Sequence, residues 1–244
     1  MMPKVSIIVP CYNSEKWIEQ CVVSALTQDY DNIEVICIDN ESTDNSVAAI
    51  EEIKKDYPEL ITGTAPNIYP HCWDEARSVG FEMMTGDYVL TMGSDDWIDR
   101  AFITNCMSFI MSAPDRILAF QSPVKGMRED QQVCIGEIKH IYQSLDEFKR
   151  VSLARCPVNT PTVIFNRKLY DNNLLKTKPD IYGGAADYDL YCRLADNNIF
   201  IYPAPTWLGF YYRWHPDQAT WQVHKEAKDY DKMIQSHWKD KWKI

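Results

Sequence analysis

No apolar run in this 244-residue chain reaches the roughly 18 residues that a membrane-spanning helix needs. The opening MMPKVSIIVP is too short and too β-branched for a secretory leader. These two absences lead us to expect a soluble, cytoplasmic chain. Basic residues are scarce, with 25 Lys and Arg against 35 Asp and Glu and a net charge of -10. A general nucleic-acid binder needs a basic face, so no nucleic-acid partner is expected. A small phosphorylated ligand held by a few local groups is still allowed. Cys11, Cys21, Cys37, Cys72, Cys106, Cys134, Cys156 and Cys192 include no CxxC pair, which disfavours a zinc site or a disulfide scaffold. Several lie inside apolar runs, as buried free thiols in a reducing compartment would. There is no GxGxxG after the first apolar run and no GxxxxGK[ST] anywhere, so the common dinucleotide and P-loop sites are disfavoured. Repeats, low-complexity segments and a clear linker are also missing, which favours one domain.

What is present is globular: 45% of residues are hydrophobic and 25% charged, enough for a substantial core. The first half alternates between two periods. VSIIVP, IEVICID, the weaker LITGTA and DYVLTM read as strands, the first two buried on both faces. Between them, helical spacing appears at Ile18, Val22, Ala25 and Leu26, with Ser14 as cap. It recurs at Val47, Ile50, Ile53 and Tyr57, at Ala76, Gly80 and Met83, and over 99–112. This alternation predicts an α/β fold with a mainly parallel sheet. Beyond residue 115 the pattern loosens. RILAFQS and PTVIF read as strands, 123–142 as an irregular or hairpin insertion, and 144–153 as a short helix. ADYDLYCRLADNN reads as a helix, IFIYP and TWLGFYYRW as β-rich, and 217–244 as a charged, Trp-bearing helix. Two functional halves are expected, 1–115 and 116–244.

Ligands of open parallel sheets bind beyond the carboxyl ends of the strands. Three such ends carry polar side chains: CYN after Pro10, DNESTD from Asp39 and GSDD after Met92. Asp39 could accept a hydrogen bond from a nucleobase ring N–H, or could cap a turn with Ser42, Thr43 and Asp44. Asp95 and Asp96 could hold Mg²⁺ or Mn²⁺ against a diphosphate, or simply precede a helix capped by Asp99. Asp187, beside Asp189, could be a general base, or a charge at a helix N-terminus. His215 could ligate a metal ion or bond a phosphate, or pack among aromatics. Arg77 could hold a phosphate or lie on a solvated face. Each signal is weak alone; their order and spacing are not.

In that order the chain resembles the inverting nucleotide-sugar glycosyltransferases of family 2, which have the GT-A fold. The motifs are VSIIVPCYNSEKWIEQCVVSALTQDYDNIEVICIDNESTDNS, DEARSVGFEMMTGDYVLTMGSDDWID, GGAADYDLYCRLA and YYRWHPDQAT. The resemblance implies a GT-A fold whose first half binds the nucleotide sugar and whose second half binds the acceptor. Pro10 and Tyr12 would border the base and Asp39 would bond its edge. Arg77 would lie near the base or diphosphate, and Asn13 and Ser94 would belong to the same donor site. Asp95 would hold Mn²⁺ or Mg²⁺ on the diphosphate, with His215 reaching the metal or phosphate. Asp187 would take the proton of the acceptor hydroxyl in a single inverting displacement. The donor implied is a nucleoside-diphosphate sugar, a UDP-sugar by default, and the acceptor a glycan or lipid-linked saccharide.

Three positions depart from the family pattern. Gly93 stands where the loop usually carries a ribose-binding Asp. Ala186 replaces the Glu of a Glu-Asp pair. Glu41 stands where Gly is common, so the turn after Asp39 is expected to differ. These losses keep a second reading open, a degenerate module that binds nucleotide sugar or glycan without turnover. A nucleotidyltransferase is disfavoured because PCYNSEKW has no glycine. For the terminal HWKDKWKI two readings stand. One is a peripheral contact at the inner face of a membrane through Trp238, Trp242 and the lysines. The other is a helix packing its tryptophans on the domain or on a second subunit of a homodimer.

Overall fold

A computed structural model describes residues 2–68, 73–129, 133–218 and 228–244. The strands predicted for the first half are all present. β1 (Val5–Cys11), β2 (Ile33–Asp39), β3 (Ile61–Thr64) and β4 (Tyr88–Thr91) alternate with α1 (Ile18–Leu26), α2 (Ser46–Asp56) and α3 (Trp73–Met83). β5 (Trp97–Ile98) and α4 (Phe102–Ile110) follow. The second half adds β6 (Ala119–Gln121), β7 (Val124–Arg128), β8 (Cys134–Ile138), α5 (Leu145–Ser152), β9 (Ile164–Asn166) and α6 (Arg167–Asp171). It closes with α7 (Pro179–Tyr182), α8 (Ala186–Asp196), β10 (Ile201–Pro203), β11 (Phe210–Trp214) and α9 (Tyr230–Trp242).

The central sheet has seven strands in the order β10-β6-β9-β4-β1-β2-β3. All its pairings are parallel except those of β9, which runs antiparallel to β4 and β6. β1 is buried on both faces, as its unbroken apolar run requires. Val5, Ile7 and Val9 pack with α1 and α4, while Ile8 packs on the opposite face with Ala76 of α3 and Leu194 of α8. Each such side chain taken out of water stabilises the fold by about 1.5–3 kcal/mol. A second sheet, β5-β11-β7-β8, stands beside the first. The expected hairpin of 123–142 is its β7–β8 edge. β11 pairs with β5 and β7, so TWLGFYYRW builds this second sheet rather than extending the first. Both sheets thus draw strands from both halves of the sequence.

Several local expectations are corrected. Ser14 does not cap α1 with its side chain; its carbonyl accepts from the amides of Trp17 and Ile18, and its hydroxyl turns to Tyr12 and Ser94. Asp99 reaches α4 through its carbonyl, which accepts from the Phe102 amide, so the helix starts three residues later than predicted. Of the predicted terminal helix, residues 219–227 lie outside the described residues, and the helix seen is α9, capped by the Asp229 carboxylate. Trp238 is buried to 1% exposure against α8 and Trp242 is half-buried. Their indoles donate to Asp189 and Asp196 of α8, each at 3.1 Å. This packing on the domain occupies the tryptophans that an interfacial contact would need. Among the described residues no helix is long and apolar enough to cross a membrane. Free thiols at Cys11, Cys21, Cys37, Cys106 and Cys192 are buried, while Cys134 is exposed.

Candidate active site

β1, β2 and β4 are neighbours running in one direction, so their carboxyl ends open on one edge of the sheet. After β1, Pro10 is half-buried and Tyr12 is 49% exposed. Asn13 adopts a left-handed φ of 49°. Its side-chain oxygen accepts from the Thr43 amide at 2.7 Å, and its own amide donates to the Ser42 hydroxyl at 3.1 Å. Asn13 therefore stitches the loop after β1 to the loop after β2. Asp39 ends β2 half-buried, receiving only the Ser42 amide at 3.3 and 3.4 Å to its two oxygens. Contacts that long leave the carboxylate capacity to accept a ligand's N–H. Glu41 takes a left-handed φ of 59°, a conformation that glycine adopts without strain.

The loop after β4 carries the second group. His215 Nε2 lies 3.0 Å from Asp95 Oδ2, and the His215 ring packs on Trp17 with centroids 4.0 Å apart. Arg213 is 1% exposed; its Nε donates to the Asp95 carbonyl at 2.6 Å and its guanidinium also reaches the Gln20 side chain at 2.5 Å. The Arg213 amide donates to Asp96 Oδ1 at 2.9 Å. Burial, reinforced by the charge of Asp95, holds the Asp96 carboxyl well above the usual carboxylate range. Burial likewise draws the Arg213 guanidinium down, against the pull of Asp96 and Asp95. Ser94 is buried and shares a 2.6 Å hydroxyl contact with Ser14. Gly93 permits a close approach: a Cβ there would sit 2.6 Å from Asp95 Oδ1 and 3.2 Å from Asp96 Oδ2. The space of the missing carboxylate is filled by its neighbours.

Asp95 and His215 fit a divalent ion. A carboxylate oxygen and an imidazole nitrogen converge on one point, and Asp95 keeps 25% of its side chain in solvent. Hard oxygen with imidazole suits Mn²⁺, and the oxygen suits Mg²⁺. Among the described residues no group of three or more His, Cys, Asp and Glu gathers as a closed cage. Two protein ligands leave room for phosphate oxygens.

Arg77 is not on a solvated face. It is 6% exposed, and its guanidinium donates to Asp74 at 2.7 Å and Thr177 at 2.9 Å between the rings of Trp73 and Phe81. Its Nε is buried with no hydrogen-bond partner among the described residues. Asp187 begins α8 half-buried, its Oδ2 accepting from the Thr160 hydroxyl at 2.6 Å and its Oδ1 from the Tyr188 amide at 2.8 Å. Burial raises its pKa above the usual carboxylate value, and the charge of Asp74 adds to this. Its neighbour Ala186 is fully buried in a cluster with Tyr182, Tyr188, Ile234 and Trp238. Asp189 is locked by Arg193 at 2.8 Å and by Trp238, so it serves packing.

The structure thus brings Asp95 to His215, and Asn13 to the Asp39 loop, while Arg77 is committed to Asp74 and Thr177. Arg213, Gln20, Trp17 and Thr160 were not foreseen. Arg213 had a signal in its place two residues before His215; Gln20 and Thr160 had none, because their contacts span distant sequence.

A parallel-centred α/β sheet with polar strand ends, a carboxylate–histidine pair and a raised carboxyl at a helix start agrees with what the resemblance to nucleotide-sugar transferases implies. The family model of glycosyl transferase family 2 matches residues 6–191, and the chain belongs to that family. An uncharacterized glycosyltransferase of Haemophilus influenzae is 39% identical over 111 residues, 45% of this chain and 43% of that protein. The crystal structure of Staphylococcus aureus TarS 1–349 in complex with UDP-GlcNAc superposes with a TM-score of 0.70 at 21% identity, covering 92% of this chain and 62% of that one. Mannosyltransferase PcManGT from Pyrobaculum calidifontis, in complex with GDP-Man and Mn²⁺, superposes with a TM-score of 0.64 at 17% identity over 97% and 69%. These superpositions establish the GT-A fold. The matched stretch spans less than half of the Haemophilus relative.

Proposed function

We propose that this glycosyltransferase moves a sugar from a nucleoside-diphosphate donor, a UDP-sugar by preference, to a hydroxyl of a glycan or lipid-linked saccharide with inversion. The convergence of Asp95 and His215 at the strand ends carries this reading. Asp39, Tyr12 and Pro10 are placed to receive the base. Asp95 and His215 would hold Mn²⁺ or Mg²⁺, which when bound supplies positive charge for the departing diphosphate. Asp187 accepts the proton of the acceptor hydroxyl as its oxygen bonds the anomeric carbon. The bond from that carbon to the phosphate oxygen breaks, and its electron pair leaves with the nucleotide. A carboxyl raised by burial is a better base than a solvated one. Residues 1–115 would supply the donor site apart from His215, and 116–244 the acceptor side with Asp187.

The test is a thermal-shift panel of UDP, GDP, dTDP and CMP sugars with and without Mn²⁺, followed by nucleotide release. A ligand at 100 times its Kd raises stability by about 2.7 kcal/mol. A metal-dependent shift with a uracil nucleotide is expected; no shift with any nucleotide overturns the reading. One observation favours a silent binder: Ala186 is fully buried, and a Cβ at Gly93 would meet Asp95 Oδ1 at 2.6 Å. Turnover of any donor rules that alternative out.

A further inference from the structure

We infer that Thr160 is a positioning residue for Asp187: its hydroxyl, fixed in a rigid turn, sets the orientation and charge state of the carboxylate that receives the acceptor's proton. The inference rests on Asp187 being the base.

The Thr160 hydroxyl donates to Asp187 Oδ2 at 2.6 Å, from a residue 27 positions away. Thr160 opens a single 3₁₀ turn, Thr160–Thr162, with Pro161 fixing its backbone. The turn is anchored on both sides. Asn159 donates through its side-chain amide to the carbonyls of Ser122 at 3.0 Å and Ile138 at 3.1 Å, and its own amide donates to the Gln121 side chain at 2.9 Å. Thr162 is fully buried and both accepts from the Ser122 amide and donates to the Ser122 carbonyl. The hydroxyl therefore sits on a mount tied to the ends of β6 and β8, not on a free loop. A site held this way keeps its geometry without reorganising.

Two donors from two elements, Thr160 and the Tyr188 amide, use one lone pair on each oxygen of Asp187. The remaining lone pairs are then fixed in direction, one of them for the substrate proton. The hydroxyl also interacts with the buried phenol of Tyr191, one turn along α8. Four other groups act on the carboxylate or its surroundings: Asp74 and Arg77 from α3, Tyr191 from α8 and Cys156 after α5. Beyond Cys156 lies Asp231 of α9. Burial pushes the carboxyl up; the hydrogen bond from Thr160 is the chief side-chain counterweight.

The experiment follows the Asp187 carboxyl by ¹³Cγ NMR across pH in the unliganded protein, its signal assigned by absence in Asp187→Asn. Thr160→Val, which keeps shape and loses the donor, should move the titration up by about one pH unit. Thr160→Ser should restore it. Nucleotide release from UDP-GlcNAc, with water as acceptor, should show its ascending limb moved the same way in the valine variant only. Should Thr160→Val not fold, Thr160→Ala, which only removes atoms, reads the same shift. An unmoved titration, or an equal move in the serine variant, overturns the inference. If the titration moves while Asp187→Asn still turns over at the wild-type rate, the assignment of the base fails instead.

Discussion

His215 Nε2 meets Asp95 Oδ2 at 3.0 Å across 120 residues of chain. The imidazole packs on the Trp17 ring, and the backbone amide of His215 donates to the Gln218 side-chain oxygen at 3.2 Å. Removing either ligand should therefore weaken the metal-dependent part of nucleotide binding and leave the fold. His215→Ala and Asp95→Asn are expected to lose most of the Mn²⁺-dependent rise in melting temperature with UDP. Gln218→Ala, which removes only a hydrogen bond to the His215 backbone, should lower Mn²⁺ affinity less than loss of either side chain, measured by calorimetry with UDP present. Unchanged Mn²⁺ affinity in all three variants would remove the metal assignment.

Gly93 predicts a failed repair. Restoring the family's Asp at this position does not restore a ribose contact, because a Cβ there meets Asp95 Oδ1 at 2.6 Å. Gly93→Ala and Gly93→Asp should both push Asp95 away from His215, costing about 1–3 kcal/mol as overpacking and weakening UDP binding. Tighter UDP binding by Gly93→Asp, read by calorimetry, would sink this account.

The far end of the sheet predicts an acid limit. Glu34 is nearly buried, and burial would raise its pKa. Hydrogen bonds from Lys4, Ser6 and Thr85 outweigh that and hold it down at about 2. A depressed carboxylate contributes stability that is complete above its unfolded pKa near 4.5 and lost as pH falls toward 2. The contribution is up to about 3 kcal/mol. Glu34→Gln should be less stable than wild type at pH 7 in urea, and the gap should narrow between pH 4.5 and 2. A gap independent of pH in that window contradicts the assignment.

Trp238 predicts that the last helix is part of the core. Trp238→Ala should cost about 3–5 kcal/mol. Trp238→Phe should cost about 1–3 kcal/mol, chiefly by leaving Asp189 Oδ1 without its donor. Urea unfolding measures both. If Trp238→Ala leaves stability unchanged but abolishes flotation with anionic vesicles, the helix is a membrane contact after all.

The first half was legible because its information is local. Two-faced strands such as VSIIVP and ICID, with helical spacing between them, announce a parallel sheet without any knowledge of contacts. The strand-end rule then selected Asp39 and Asp95 by position alone. Of the second sheet only the local β7–β8 hairpin and the β-rich run of β11 were legible. β5 is two residues long and finds its partner, β11, more than a hundred residues on, so no window of sequence contains the pairing. Arg77 had two readings, a phosphate holder or a solvated face, and its enclosure by Asp74 and Thr177 excludes the second. Glu41 was expected to alter the turn after Asp39; its left-handed φ of 59° is a backbone property that residue type alone does not announce.

β11 has one more consequence, for how this chain can change over generations. Tyr211 and Arg213 lie on one face of the strand, both against Trp97, and His215 follows one step beyond its end. Side chains alternate along a strand, so a slip of one residue turns that face over. β7 is paired to β11 residue by residue, and to β8 on its other edge with a register shift between Gly126 and Met127. An insertion inside β7 would be passed across the ladder to Arg213. A single-residue frame change there would unseat the histidine from Asp95.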